Sequence, residues 1–149
     1  FLYDEAVKVP LIFSWPDRIP ENRPDRSHIV SGIDIVPTIC EYAGVESPPV
    51  TGRSLRSVME GDSADWRNFA VSEVKSNTGR ALRTPRYKYI GFREDPVEQL
   101  FDMKKDPGET KNLARDPGHR SVLKELKKQL YRWEDGLDLA EGVTKWRHG

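Results

Sequence analysis

Apolar residues gather first at positions 9–16, Val-Pro-Leu-Ile-Phe-Ser-Trp-Pro, a continuous run closed by proline. It has no polar alternation, so it predicts a strand covered on both faces, as in a parallel sheet. Residues 17–28 carry charge and two prolines without any period, and they predict a surface loop. A helical period follows, with Asp34 as the expected N-cap, Pro37 in the first turn and Gly44 as the stop. Ile35, Val36, Ile39, Cys40 and Ala43 then form one apolar stripe. Beyond a Pro-rich linker at 47–50, the pattern predicts a short helix over 54–60, capped by Ser54 and ended by Gly61.

Near Trp66 the period changes. Four short strand-like runs, at 69–75, 79–84, 87–92 and 97–103, are separated by Ser-Asn-Thr, Pro-Arg and Arg-Glu-Asp-Pro turn signals, which predicts an antiparallel meander. Asp116 and Pro117 then open a final helix whose stripe is Leu123, Leu126, Leu130 and Trp133, with Leu137 beyond the Gly136 break. A coiled coil needs about three to four heptads, so this narrow stripe predicts packing against one face of the meander. The fold class is therefore α/β in the α+β sense.

Composition narrows the functions open to such a chain. Its 149 residues hold 24 Lys or Arg and 24 Asp or Glu, a zero formal charge that argues against binding nucleic acid or an anionic membrane. No apolar run approaches the roughly 18 residues of a membrane span. The apolar share of 36% is lean, so the core should be modest. One cysteine excludes an internal disulfide framework and a multi-cysteine zinc site. Opening at Phe1 in mid-pattern, the chain reads as a piece of a longer one.

Candidate chemistry is sparse. Cys40 lies on the apolar stripe, where a buried structural thiol is expected, and His28, His119 and His148 show no metal spacing. No H-x-x-x-H, C-x-x-C, G-x-S-x-G or phosphate-loop pattern occurs. The cationic run Arg80, Arg83, Arg86 and Lys88 stands out: alternation would put Arg80 and Arg86 on one face of the hairpin, with Arg83 near its turn. An anion-binding face is one reading, and ordinary surface charge on a strand is the other.

Four segments, in order, give the chain its resemblance: LYDEAVKVPLIFSWPDRIP, GIDIVPTICEYAGVESPPVTGRSL, ALRTPRYKYIGF and EQLFDMKKDPGETKNLA. Together they resemble the C-terminal part of the sulfatase family, over about positions 2–114. Lys8 stands where that family usually has Arg. The resemblance implies an alkaline-phosphatase-like α/β domain, whose end would be residues 1–65, followed by a small domain at 66–149 with a four-stranded antiparallel sheet and a C-terminal helix.

It also implies where the chemistry resides. The family nucleophile is a Cys or Ser in C/S-x-P-S-R, converted to formylglycine and assisted by Ca; Cys40 is followed by Glu41, Tyr42 and Ala43, so it is not that residue. No catalytic residue and no metal ligand transfers to this chain, which should be inert alone, with Ca and formylglycine expected in the full-length enzyme. Its implied function is that of a C-terminal fragment of a sulfate ester hydrolase. The alternatives are a fragment of a phosphonate monoester or phosphodiester hydrolase of the same superfamily, or a non-catalytic binding module. Expected partners are the remainder of the sulfatase chain and a sulfated small molecule or glycan, with self-association through residues 9–15 also open. Lys75, Asn77, Arg80 and Arg83, the densest cationic stretch beside an adaptable loop, are the expected substrate-side residues. The family alone suggests a periplasmic, secreted or lysosomal location.

Overall fold

The computed structural model describes residues 1–61, 65–74, 78–93, 95–138 and 145–147. By contact, the chain divides into Pro10–Ala70 and a second unit made of Phe1–Val9 with Val71–Gly149.

The second unit is built on the meander. Strands β1 (Ala70–Val74), β2 (Gly79–Arg83), β3 (Tyr87–Phe92) and β4 (Asp95–Asp102) form one sheet in the order β1-β2-β3-β4. The β2–β3 register runs from Gly79 opposite Phe92 to Arg83 opposite Lys88, and β2–β3 and β3–β4 pair antiparallel. Gly79 is required by packing: a Cβ there would lie 2.5 Å from the Phe92 ring and 2.9 Å from Val74. Leu82, Tyr89 and Leu100 pair across three strands and are fully buried on one face. The helix α4 (Arg120–Asp135) buries Leu126 and Leu130, the centre of the predicted stripe. Each such leucine contributes about 1.5–3 kcal/mol relative to exposure. Asp116 caps the preceding turn, its carboxylate accepting from the Gly118 amide at 2.9 Å, with Pro117 at the start as expected.

The opposite face of the sheet takes the N-terminal segment. Leu2 joins Ala81, Ile90, Phe101 and Met103 in the core, with Tyr3 and Val7 against it. Lys88 also points to this side, by strand alternation, and its ammonium is buried. It lies 2.8 Å from Asp4 Oδ1 and 2.8 Å from Glu109 Oε1. The Asp4 amide, in the first turn of α1 (Asp4–Val7), donates to Glu109 Oε2 at 2.5 Å. One cation thus ties the chain start, the middle strand and the turn after β4.

The unit Pro10–Ala70 departs from expectation in two places. Residues 9–15 do not form the predicted strand; they join no sheet among the described residues, and Val9 and Ile12 are 74% and 86% exposed. A strand persists through backbone pairing, and these residues have no strand partner among the described residues. The predicted helix does form, as α2 (Ile35–Ala43), closed by Gly44 in the left-handed region with φ 69°. Its apolar stripe is nevertheless turned outward: Val36 and Ile39 are exposed and Cys40 is half-exposed, while Pro37 and Thr38 are buried.

Polar bonds explain that orientation. The Asp34 side chain does not cap α2 but accepts from the Ser31 amide at 2.8 Å, the Arg53 amide at 2.9 Å and the Arg67 guanidinium. Thr38 Oγ1 donates to the Asp34 carbonyl at 2.5 Å and accepts from the Leu55 amide at 2.9 Å, which seats the short helix α3 (Arg56–Glu60). Gly52 makes the approach possible, since a Cβ there would sit 1.9 Å from the Ile33 carbonyl oxygen. Trp66 donates from Nε1 to the Ile29 carbonyl at 2.7 Å, and the Arg53 and Arg67 guanidinium groups lie over its ring.

Removing the Lys88 ammonium tests the second unit. Lys88→Met leaves Asp4 and Glu109 without their cation and should cost about 3–5 kcal/mol, the usual penalty for breaking a buried pair. Urea unfolding checks this, and a stability unchanged from the parent would show the carboxylates to be held by other means.

Candidate functional site

The residues proposed from sequence separate in space. Lys75 and Asn77 lie outside the described residues. Arg80, on the α4 face of β2, has a side chain only 2% exposed. Its Nη1 is 2.5 Å from Glu73 Oε2 and its Nε 3.4 Å from the fully buried Glu134 Oε2, with Trp133 beneath the guanidinium. Arg86 is not on a strand face with Arg80, as alternation implied. It lies in the β2–β3 turn, its Nη2 2.9 Å from Asp102 Oδ2.

Arg83 occupies the other face. Its guanidinium donates to the Thr84 carbonyl and lines an open cleft of about 300 Å³ with Asp4, Glu5, Lys8, Met103 and Pro107. Burial pushes the Arg83 pKa down, and the Asp4 and Glu109 carboxylates act against that shift. One lining residue, Asp4, is also the ion-pair partner of Lys88. Arg83 and Lys8 are therefore the cations of a polar recess with acidic neighbours, suited to a ligand bearing both charge and hydrogen-bonding groups.

The remaining candidates have structural surroundings. His119 Nδ1 is 2.8 Å from Asp116 Oδ2 at the start of the last helix. His28 Nδ1 is 2.5 Å from Asp25 Oδ2. Burial would raise the Asp25 carboxyl, but bonds from His28 and Ser27 hold it well below the usual range. His148 lies outside the described residues. Among the described residues, no group of three or more His, Cys, Asp or Glu side chains is placed to hold a metal ion. No described helix is long and apolar enough to cross a membrane.

Sequence reasoning missed the groups that organise each unit by itself: Asp4 and Glu109 around Lys88 in the one, and Asp34 with Arg53 and Arg67 in the other. Asp4, Asp34, Arg53, Lys88 and Glu109 do lie inside the segments that carry the family resemblance, and that was the available signal.

Comparison with known proteins agrees with this architecture. The family model for the C-terminal part of N-sulphoglucosamine sulphohydrolase matches residues 1–136. The Δ4,5-hexuronate-2-O-sulfatase of Bacteroides thetaiotaomicron is 39% identical over 133 residues, covering 83% of this chain and 27% of that enzyme. A crystal structure of a proposed sulfatase from the same species superposes with a TM-score of 0.81 at 36% identity, covering 91% of this chain and 31% of the other. The phosphonate monoester hydrolase of Silicibacter pomeroyi superposes at 0.65 with 29% identity, covering 80% of this chain and 29% of the other. The chain thus spans about a quarter of the length of the curated relative. Sheet, helix and matches together define the C-terminal region of a sulfatase. The chain belongs to the N-sulphoglucosamine sulphohydrolase C-terminal family.

Within the matched region, turns around the sheet and the last helix are held by carboxylates. The Arg86 side chain holds Asp102 below its ordinary pKa, the Lys111 and Thr110 amides do so for Asp106, and the Gly118 amide with His119 does so for Asp116. A depressed folded pKa means that the unfolded chain binds protons first as pH falls. This stability is therefore fully present above about pH 5 and is lost as pH drops through the folded values. The urea midpoint should stay level from about pH 5 to 7 with respect to these groups and fall steeply below about pH 4. A midpoint that held level to about pH 2 would contradict the assignment.

Proposed function

We propose that this chain is the C-terminal part of an enzyme that hydrolyses sulfate esters of sugars. The match over residues 1–136, together with 39% identity to a hexuronate-2-O-sulfatase, carries this reading. In it, residues 1–65 end the large domain and 66–149 form the small one. In this reading the formylglycine nucleophile and Ca belong to the rest of the enzyme, since Cys40 lacks the family motif. Leu11, Ile12, Trp15, Val36, Ile39 and Val45 are exposed on the Pro10–Ala70 unit, and the remainder of the sulfatase chain is their proposed cover.

Substrate contact is assigned to Lys75, Asn77 and Arg83, with Arg80 supporting the hairpin from beneath. Losing a contact that binds an anion equally in ground and transition states raises KM without lowering kcat. In the full enzyme, alanine at Lys75 or Arg83 should therefore raise KM about threefold to tenfold on a 2-O-sulfated unsaturated uronate, with kcat nearly unchanged. Steady-state kinetics beside an aryl phosphonate monoester separates the rival activity: kcat/KM favouring the phosphonate would overturn the sulfatase reading. Expressed alone, the chain should release no sulfate from an aryl sulfate and should associate through residues 9–15. Sulfate assay and gel filtration read both, and turnover lost on mutating a residue of this chain would show that it carries its own catalytic group.

A further inference from the structure

Residues 145–147 return to the sheet unit after the last helix, and Trp146 is completely buried there. Its backbone amide donates to Glu134 Oε1 at 2.8 Å, and its indole Nε1 donates to the Thr78 carbonyl at 3.0 Å. The same carbonyl accepts from the Arg93 amide at 2.8 Å, and Arg93 Nη2 donates to the Lys145 carbonyl at 3.1 Å. Asp135 anchors the segment from the helix, 3.0 Å from Lys145 Nζ and 2.7 Å from Arg147 Nη2. The other oxygen of Glu134 meets Arg80, which in turn meets Glu73. The segment therefore reaches both arms of the β1–β2 hairpin: Glu73 in β1 through Glu134 and Arg80, and Thr78 at the entrance of β2 directly.

The hairpin needs such a hold. β1 is an edge strand, only half-buried, and has β2 as its single neighbour in the sheet. Glu134 is fully buried and would be left with an unmet oxygen were Trp146 withdrawn. We propose that residues 145–147 are a clasp, with Trp146 a positioning residue that presents the β1–β2 hairpin in one orientation to the sulfated ligand. The ligand part rests on the proposed substrate-facing role of that hairpin. Fixing the hairpin before binding removes an ordering cost that the ligand would otherwise bear.

Hydrogen exchange on the intact chain and kinetics on the full enzyme test the two parts separately. Trp146→Ala should speed exchange of the Arg80–Leu82 and Arg93 amides about tenfold, the equivalent of one lost buried hydrogen bond, while β4 and α4 amides stay as they were. Trp146→Phe, which keeps a ring but loses the indole N–H, should give a smaller effect in the same amides and serves if the alanine variant does not fold. In the enzyme, KM for the sulfated sugar should rise about threefold or more in the alanine variant with kcat within about twofold, and Phe should recover part of it. Unchanged hairpin exchange in both variants would overturn the clasp, as would acceleration spread evenly over the whole sheet. Faster hairpin exchange with unchanged KM would uphold the clasp and remove the hairpin from the substrate.

Discussion

Lys88 is the residue on which the sheet unit turns. Its ammonium is withdrawn from water, and a buried charge is tolerated only when it is paired and hydrogen-bonded. Asp4 and Glu109 supply the pairing, one from the chain start and one from the turn after β4. Glu109 takes up the left-handed region, φ 52°, where L side chains are uncommon, and its carboxylate bonds to Lys88 and the Asp4 amide from that position. The pair is better seen as fixing which segments meet than as adding stability, because a well-packed apolar substitute could match its energy. With Asp4 in place, Leu2, Tyr3 and Val7 reach the sheet face and complete its core.

The Pro10–Ala70 unit follows a different principle. Its buried positions include Asp34, Pro37, Thr38, Leu55 and Val58, so polar bonds carry much of the organisation that an apolar core usually supplies. Asp34 gathers the Ser31 and Arg53 amides and the Arg67 guanidinium, and Thr38 passes the constraint to Leu55. With the inner side of α2 committed to those bonds, its apolar stripe faces outward.

The two arginines of β2 illustrate how strand alternation assigns work. Arg80 and Arg83 are three residues apart, so they fall on opposite faces of the sheet. Arg80 meets Glu134 and Trp133 of the last helix and becomes part of the support; Arg83 meets the N-terminal segment and borders the cleft. Identical side chains thus receive a structural and a surface role from position alone.

By itself the sequence determined the meander, the helix ended by Gly44, the short helix ended by Gly61 and the Asp116–Pro117 start of the last helix, because local spacing, turn residues and caps act over a few residues. The ordered segments were also enough to indicate the sulfatase family. What the helix stripe and the Val-Pro-Leu-Ile-Phe-Ser-Trp-Pro run would face was not legible, since an apolar pattern states that a surface can be covered and not what covers it. Only the tertiary structure decided that Asp4, Lys88 and Glu109 form one cluster, that Asp34 serves Arg53 and Arg67 instead of its own helix, and that Arg80 is buried while Arg83 borders a cleft. Those outcomes depend on pairings between distant segments, and a charged residue in a sequence carries no mark of which opposite charge will meet it or whether water will be excluded when it does.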